Sequence, residues 1–273
     1  MKKIVLALTI QTLFFQSFAF GWGQTGHRVT GEIAQRYLTP EAQEKLKALM
    51  GKETLARSST WADEVRSNKN KKYYDRFLTW HYVEIPLGLT YEKSKKNPAG
   101  DVVKAIQEQT ARLKNKKIPQ DERIEAVRLL VHFVGDIHMP LHVGNGEDRG
   151  GNQCQVKFFG EDTNLHRVWD ESLIRSSELS YSELVDFVDR HTSEEILGWQ
   201  KSNVTDWVNE TAMLRPSVYP TPHGDRPYCT AEKGKIRNIP DLGFDYRYEH
   251  LGTVELQLFK GGVRLAALLN ESL

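Results

Sequence analysis

The chain has 273 residues, 39% of them hydrophobic, which suits one domain with a sizeable core. Thirty-seven basic residues stand against 36 acidic ones, for a formal net charge of +1. That balance excludes a global basic field, so a polyanionic substrate has to be drawn by a local patch or by bound metal ions. The cysteines are Cys154 and Cys229, with no Cys-x-x-Cys, so a thiolate zinc site is not expected. In an oxidising compartment they predict one long-range disulfide, two free thiols being the alternative.

The N-terminus reads as an address. Lys2 and Lys3 precede an apolar run from Ile4 to Phe20, with small residues at Ala19 and Gly21. This is the layout of a secretory signal peptide, too short and wrongly flanked for a spanning helix, with an uncleaved anchor as the alternative. Residues 1–21 are therefore expected to be removed. Residues 22–273 form the mature domain, secreted or periplasmic. Cleavage after Gly21 makes Trp22 the chain end. Its α-amine has a pKa of about 8, low enough to lose a proton and chelate a metal together with the Trp22 carbonyl.

Thr25 is the predicted N-cap of a helix carrying Val29, Ile33, Ala34 and Leu38, with His27 in its first turn. Thr39-Pro40 opens a second helix reaching Met50. In the helical segment 59–66, Asp63 is a candidate ligand and Arg66 shares its face at i, i+3, a surface ion pair being the plain alternative. Leu78 to Pro86 is aromatic, β-branched and extended. His81 and Val83 face one side there, Tyr82 and Glu84 the other. An aromatic ring beside a candidate ligand can stack on a nucleic-acid base, a contact worth about 1–3 kcal/mol; a core tyrosine is the rival explanation.

Helices are expected over 98–113 and 121–139. The second carries the apolar stripe Ile124, Val127, Leu130, Val131 and Val134, with His132 and Asp136 on one face; Pro140 ends it and His142 lies just beyond. Burying imidazole and carboxylate unpaired costs several kcal/mol, and a metal ion removes the difficulty by taking them as ligands. A His–Asp pair inside a polar core is the alternative. A Gly- and Asn-rich loop follows over 144–151, then a short strand at 155–158, expected in a hairpin. Asn164 caps a helix that repeats the His-x-x-x-Asp spacing with His166 and Asp170. One or two helices are expected over 181–214, a long loop over 216–242 tied down by Cys229, and a last helix with Val254, Leu258, Leu265 and Leu269 as its core stripe. His138, His191, His223 and His250 have no convincing partners in the sequence.

The ordered elements Trp22-Gly-x-x-Gly-His27, Ser59-x-Trp-Ala-Asp63-Glu-Val-Arg66, Trp80-His81-Tyr82, His132-Phe-x-Gly-Asp136-x-His-x-Pro-Leu-His142, Gly150-Gly-Asn152 and Asn164-Leu-His166-x-x-Trp-Asp170 resemble the S1/P1 family of zinc-dependent, single-strand-specific nucleases, relatives of zinc phospholipase C. The resemblance covers most of the mature chain. It implies a mainly α, single helical domain with a short β-hairpin. It also implies three zinc ions: one on Asp63, His81, His132 and Asp136; a second on the Trp22 amine and carbonyl, His27 and a bridging Asp136; a third on His142, His166 and Asp170. The implied activity is endonucleolytic hydrolysis of single-stranded DNA and RNA to 5′-phosphate products, possible 3′-nucleotidase action included. In it Asp63, Arg66 and Asp136 serve catalysis, and Tyr82, Glu84 and Asn152 bind substrate. Only one disulfide is available, so the fungal members' disulfide framework does not carry over. The competing readings are a phospholipase C-like zinc phosphodiesterase and a zinc-binding protein without catalysis.

Overall fold

The computed structural model describes residues 22–65, 68, 77–220 and 239–273. Helices dominate it, as expected. The first are α1 (Gln24–Arg36), α2 (Pro40–Met50), and two single turns, α3 (Leu55–Ser58) and α4 (Trp61–Glu64). Thr39 caps α2 by accepting the Ala42 amide, with Pro40 at the first helical position. Thr25 does not cap α1. The helix starts two residues earlier, behind Gly23, so Thr25 already lies inside the first turn.

Two long helices follow, α5 (Val102–Lys114), capped by Asp101, and α6 (Gln120–Asp136). α6 ends at Asp136, three residues short of the expected Met139. The chain turns before Pro140, and a short 3₁₀ turn, Pro140–His142, carries His142 back toward the helix end. The helix Leu165–Arg167 (α7) runs through a π turn, Val168–Ser172, into α8 (Leu173–Arg175). Next come α9 (Tyr181–Val188), α10 (Ser193–Gln200) and α11 (Val204–Val218), each opened by a capping box. Three helices thus stand where one or two were expected. The last continues through Pro216, which the sequence reading placed in a loop. α12 (Phe244–Ser272) closes the chain; its 29 residues span about 43 Å.

Strands are few. β1 (Val83–Glu84) pairs in parallel with β2 (Val143–Gly144), and β3 (Gln155–Phe158) pairs antiparallel with β4 (Glu161–Asn164) as the expected hairpin. β5 (Asp241–Leu242) adds to the other side of β3. One apolar cluster surrounds α6, with Val127, Leu130, Val131, Val134, Leu265 and Leu269 buried; a second joins α1 to Trp169, Leu258 and Phe259. The metal-type residues sit between these clusters.

α1 and α12 cross closely at Gly262. A Cβ there would stand 2.5 Å from the Ile33 Cβ and 3.1 Å from the Thr30 carbonyl oxygen. Gly262→Ala is therefore expected to destabilise by about 1–3 kcal/mol despite alanine's better helix propensity. A calorimetric Tm several degrees below the parent checks it.

Among the described residues no helix is long and apolar enough to cross a membrane. His138 corrects the sequence reading. It is fully buried, its Nδ1 donates to the Val134 carbonyl at 2.7 Å, and its Nε2 accepts from Arg264 at 2.9 Å. The partner was invisible because it comes from α12. His223 falls outside the described residues.

Candidate metal centre

Three groups of donor atoms converge: His27, His132 and Asp136; Asp63, His81 and His132; and His142, His166 and Asp170. Within each group the donor atoms lie within 4.8 Å of one another. α1 brings His27, α4 brings Asp63, and the segment before β1 brings His81. α6 supplies His132 and Asp136 one turn apart, the 3₁₀ turn supplies His142, and α7 with its π turn supplies His166 and Asp170. Most of these side chains are buried, and Asp63 is partly exposed.

Asp136 is the hinge of the arrangement, because its two oxygens face different imidazoles. Oδ1 lies 3.4 Å from His27 Nε2 and 3.8 Å from His142 Nδ1. Oδ2 lies 3.1 Å from His81 Nδ1 and 3.4 Å from His132 Nε2. His132 Nε2 is also 3.0 Å from His81 Nδ1 and 3.8 Å from Asp63 Oδ1. A tetrahedron of 2.0–2.1 Å zinc bonds has edges of about 3.3 Å, so the separations among His27, Asp63, His81, His132 and Asp136 suit donors sharing an ion, whereas His142 Nδ1 is only a neighbour of Asp136.

Backbone carbonyls set the tautomers. A carbonyl only accepts, so His132 Nδ1 donates to Ser59 at 2.7 Å and His166 Nδ1 donates to Gly150 at 2.6 Å. His142 Nδ1 likewise donates to the His81 carbonyl at 2.5 Å. Each frees a Nε2 lone pair, the usual arrangement behind a ligating histidine. Gly150 makes its contact possible: at φ 60°, a Cβ there would strike the Leu141 carbonyl oxygen at 2.2 Å.

Burial alone cannot explain the charges. Neither His27 nitrogen has a hydrogen-bond partner among the described residues, and neither has Asp170 Oδ1. Desolvation lowers the His27 pKa to about 4 against the opposing pull of Asp63, so the imidazole is neutral at physiological pH. Its ring stacks on His132, centroids 3.9 Å apart, and burial together with this neighbour holds the His132 pKa down as well. Desolvation raises the Asp170 carboxyl to about 7, only partly offset by His166. Neutral imidazoles and a carboxylate in want of a cation are what a dication satisfies.

Trp22 is fully buried beside this centre, and the Gly23 amide donates to the Asp170 carbonyl at 2.9 Å. Tyr82 and Glu84 lie on the open side of β1 and His81 and Val83 on the buried side, as the alternation requires. Tyr82 and Glu84 line a cavity of about 370 Å³ with Lys95, Lys96 and Asn97. Burial and the Glu84 charge raise the Tyr82 pKa, opposed by Arg149, whose backbone is held at φ 57°. Asn152 turns its amide onto the Arg149 carbonyl at 2.9 Å, within its own loop. Arg66 and Cys229 lie outside the described residues; Cys154 is buried. Sequence reasoning missed Arg149 and the carbonyls of Ser59, His81 and Gly150. Main-chain oxygens carry no signal in residue identities. The π turn holding Asp170 was also missed, although such turns recur at functional sites.

A helical scaffold that gathers nitrogen and oxygen donors into three adjoining clusters could hold metal ions of the kind that metal-dependent hydrolases use. The chain belongs to the S1/P1 nuclease family, whose sequence model matches residues 22–273. It is 32% identical to Endonuclease 4 of Arabidopsis thaliana, over 92% of this chain and 89% of that protein. It is 30% identical to Nuclease P1 of Penicillium citrinum, over 92% and 97%, and 27% identical to Nuclease S1 of Aspergillus oryzae, over 97% and 96%. The protein is a nuclease, a hydrolase of the S1/P1 type, and its family is zinc-dependent.

Proposed function

We propose that residues 22–273 are an exported endonuclease with three zinc ions that cuts single-stranded DNA and RNA to 5′-phosphate products. The observation that carries this is the division of Asp136 between the His27 side and the His81–His132 side, next to a separate His142–His166–Asp170 group. Asp63, His81, His132 and Asp136 hold the first ion. His27, Asp136 and the Trp22 amine and carbonyl hold the second, and the remaining group holds the third. Bound zinc supplies Lewis acidity toward phosphoryl oxygens and brings the pKa of water toward neutrality. The family match beginning at Trp22, the leader-like run before it and the burial of Trp22 beside Asp170 support cleavage before this residue. Mass spectrometry of the exported protein's N-terminus tests it, and a start at any other residue removes the amine ligand. Buried Cys154 is assigned to a disulfide with Cys229.

Tyr82 stacks the base and Glu84 accepts hydrogen bonds from its edge, while Arg66 and Asn152 offset and orient the phosphate. The cavity beside β1 supports single-strand preference, because a base enters it only after leaving its stack. Tyr82→Ala is expected to raise KM for denatured DNA by roughly 5- to 100-fold, with Tyr82→Phe near the parent. Steady-state kinetics on a short oligonucleotide checks this. Parallel assays on denatured DNA, duplex DNA, RNA and phosphatidylcholine test the whole reading: turnover of the lipid alone overturns it. Three bound zincs with no hydrolysis of any nucleic acid would favour a binding protein instead.

A further inference from the structure

We propose that Arg215 and Tyr219, at the C-terminal end of α11, are positioning residues that hold the histidine-bearing segments of the metal centre in register. This rests on the metal assignment above. Arg215 is buried, 3% exposed. Its Nη1 donates to the carbonyls of Val143 at 2.6 Å and Gly144 at 2.8 Å, and its Nη2 donates to Ile85 at 2.8 Å. These oxygens come from both sides of the β1–β2 ladder, which is two residues long and too short to hold itself. β1 begins two residues after His81, and β2 follows His142 directly. Arg215 therefore fixes the spacing between two ligands, the same spacing that the hydrogen bond from His142 to the His81 carbonyl requires.

Tyr219 acts on the third group. Its hydroxyl donates to Asp148 Oδ1 at 3.0 Å, and the same oxygen accepts the Gly151 amide at 2.9 Å. The Asp148 carbonyl takes the Gln153 amide at 3.0 Å. Together these bonds shape the turn that aims the Gly150 carbonyl at His166. Electrostatic attraction, to Tyr219 first and then to the carboxylates of Asp148 and Glu147, offsets part of the burial cost of the Arg215 guanidinium. Lysine does not replace this fork, because one ammonium cannot reach three carbonyls on two strands in the same geometry.

The test uses the mature, zinc-loaded protein and its variants Tyr219→Phe and Arg215→Lys. A chromogenic chelator follows zinc release, calorimetry in excess EDTA follows the metal-free fold, and kinetics separates kcat from KM. Tyr219→Phe is expected to release one of the three zincs about 10- to 100-fold faster. Its Tm in EDTA should stay within the few degrees that one lost hydrogen bond brings. Arg215→Lys is expected to speed release of more than one zinc, with kcat falling and KM for a short oligonucleotide held. If Arg215→Lys does not fold, Tyr219→Phe alone decides. Wild-type release rates in the folded variants overturn the proposal while the metal assignment stands. So does a drop in metal-free Tm large enough to account for the faster release. A wild-type protein that binds no zinc overturns the assignment itself, and this proposal with it.

Discussion

Asp136→Asn is expected to lower nuclease activity by on the order of 10³-fold or more, about 4 kcal/mol of barrier, and to cost more than any single change at His142, His166 or Asp170. The substitution keeps shape and volume, so packing around α6 is preserved. What changes is charge and donor chemistry at a side chain whose oxygens face His27 on one hand and His81 and His132 on the other. An amide offers one weak neutral acceptor where the carboxylate offers two charged ones, and its NH₂ group confronts imidazole lone pairs. On the proposed assignment two ion positions would be weakened by one substitution, whereas a change at His166 would weaken one. Zinc analysis with kcat/KM on denatured DNA checks the ranking. Equal and small losses at Asp136 and Asp170 would break the bridging arrangement.

Removing the metal is expected to give a protein whose stability responds to pH through Asp170 and His27 with opposite signs. Asp170 has its folded pKa at about 7, above the ordinary 3.8. The folded metal-free chain therefore binds more protons than the unfolded chain between these values, and stability falls as pH rises through that window. His27 has its folded pKa at about 4, below the ordinary 6.5, so its contribution is present above pH 6.5 and is lost as pH falls toward 4. Zinc needs Asp170 ionised and His27 neutral. Its stabilising effect should therefore grow between pH 5 and pH 8, with proton release on binding below about pH 7. Asp170→Asn gives a reversal of sign. At pH 8 in EDTA the variant should be more stable than the parent by roughly 2–4 kcal/mol, because the buried charge is gone. With zinc in excess it should be less stable, because a ligand is gone. Denaturant unfolding at both conditions reads the two signs, and a variant destabilised in both would contradict the account.

The parts of this centre legible in the sequence were those encoded by spacing along one helix. His132 with Asp136, and His166 with Asp170, are four residues apart, and that regularity survives without knowledge of the fold. The alternation through His81, Tyr82, Val83 and Glu84 was legible for the same reason. Asp63 and His81 were assigned to an ion by family resemblance, since nothing local ties them to α6. Arg215 could not be read. It falls between the helices expected over 181–214 and the loop expected from Pro216, and its partners are carbonyls some 70 and 130 residues away in the chain. His138 was misjudged on the same ground, because Arg264 lies 126 residues on. The mainly helical class came with the family resemblance and the individual helices from periodicity, whereas the boundaries at Thr25, Met139 and Leu214 shifted where turns and caps replaced the expected signals.

The imidazoles of His132, His142 and His166 lean on oxygens of the main chain at Ser59, His81 and Gly150. Every amino acid carries that oxygen, so no codon change deletes it. Ser59, which is fully buried, can drift to another small residue that keeps the local path of the chain, and the ring it steadies keeps its support. The changes that harm this support are then those that bend the path, through residues inserted or deleted near these three carbonyls or a side chain added at Gly150, where a Cβ would strike the Leu141 carbonyl oxygen.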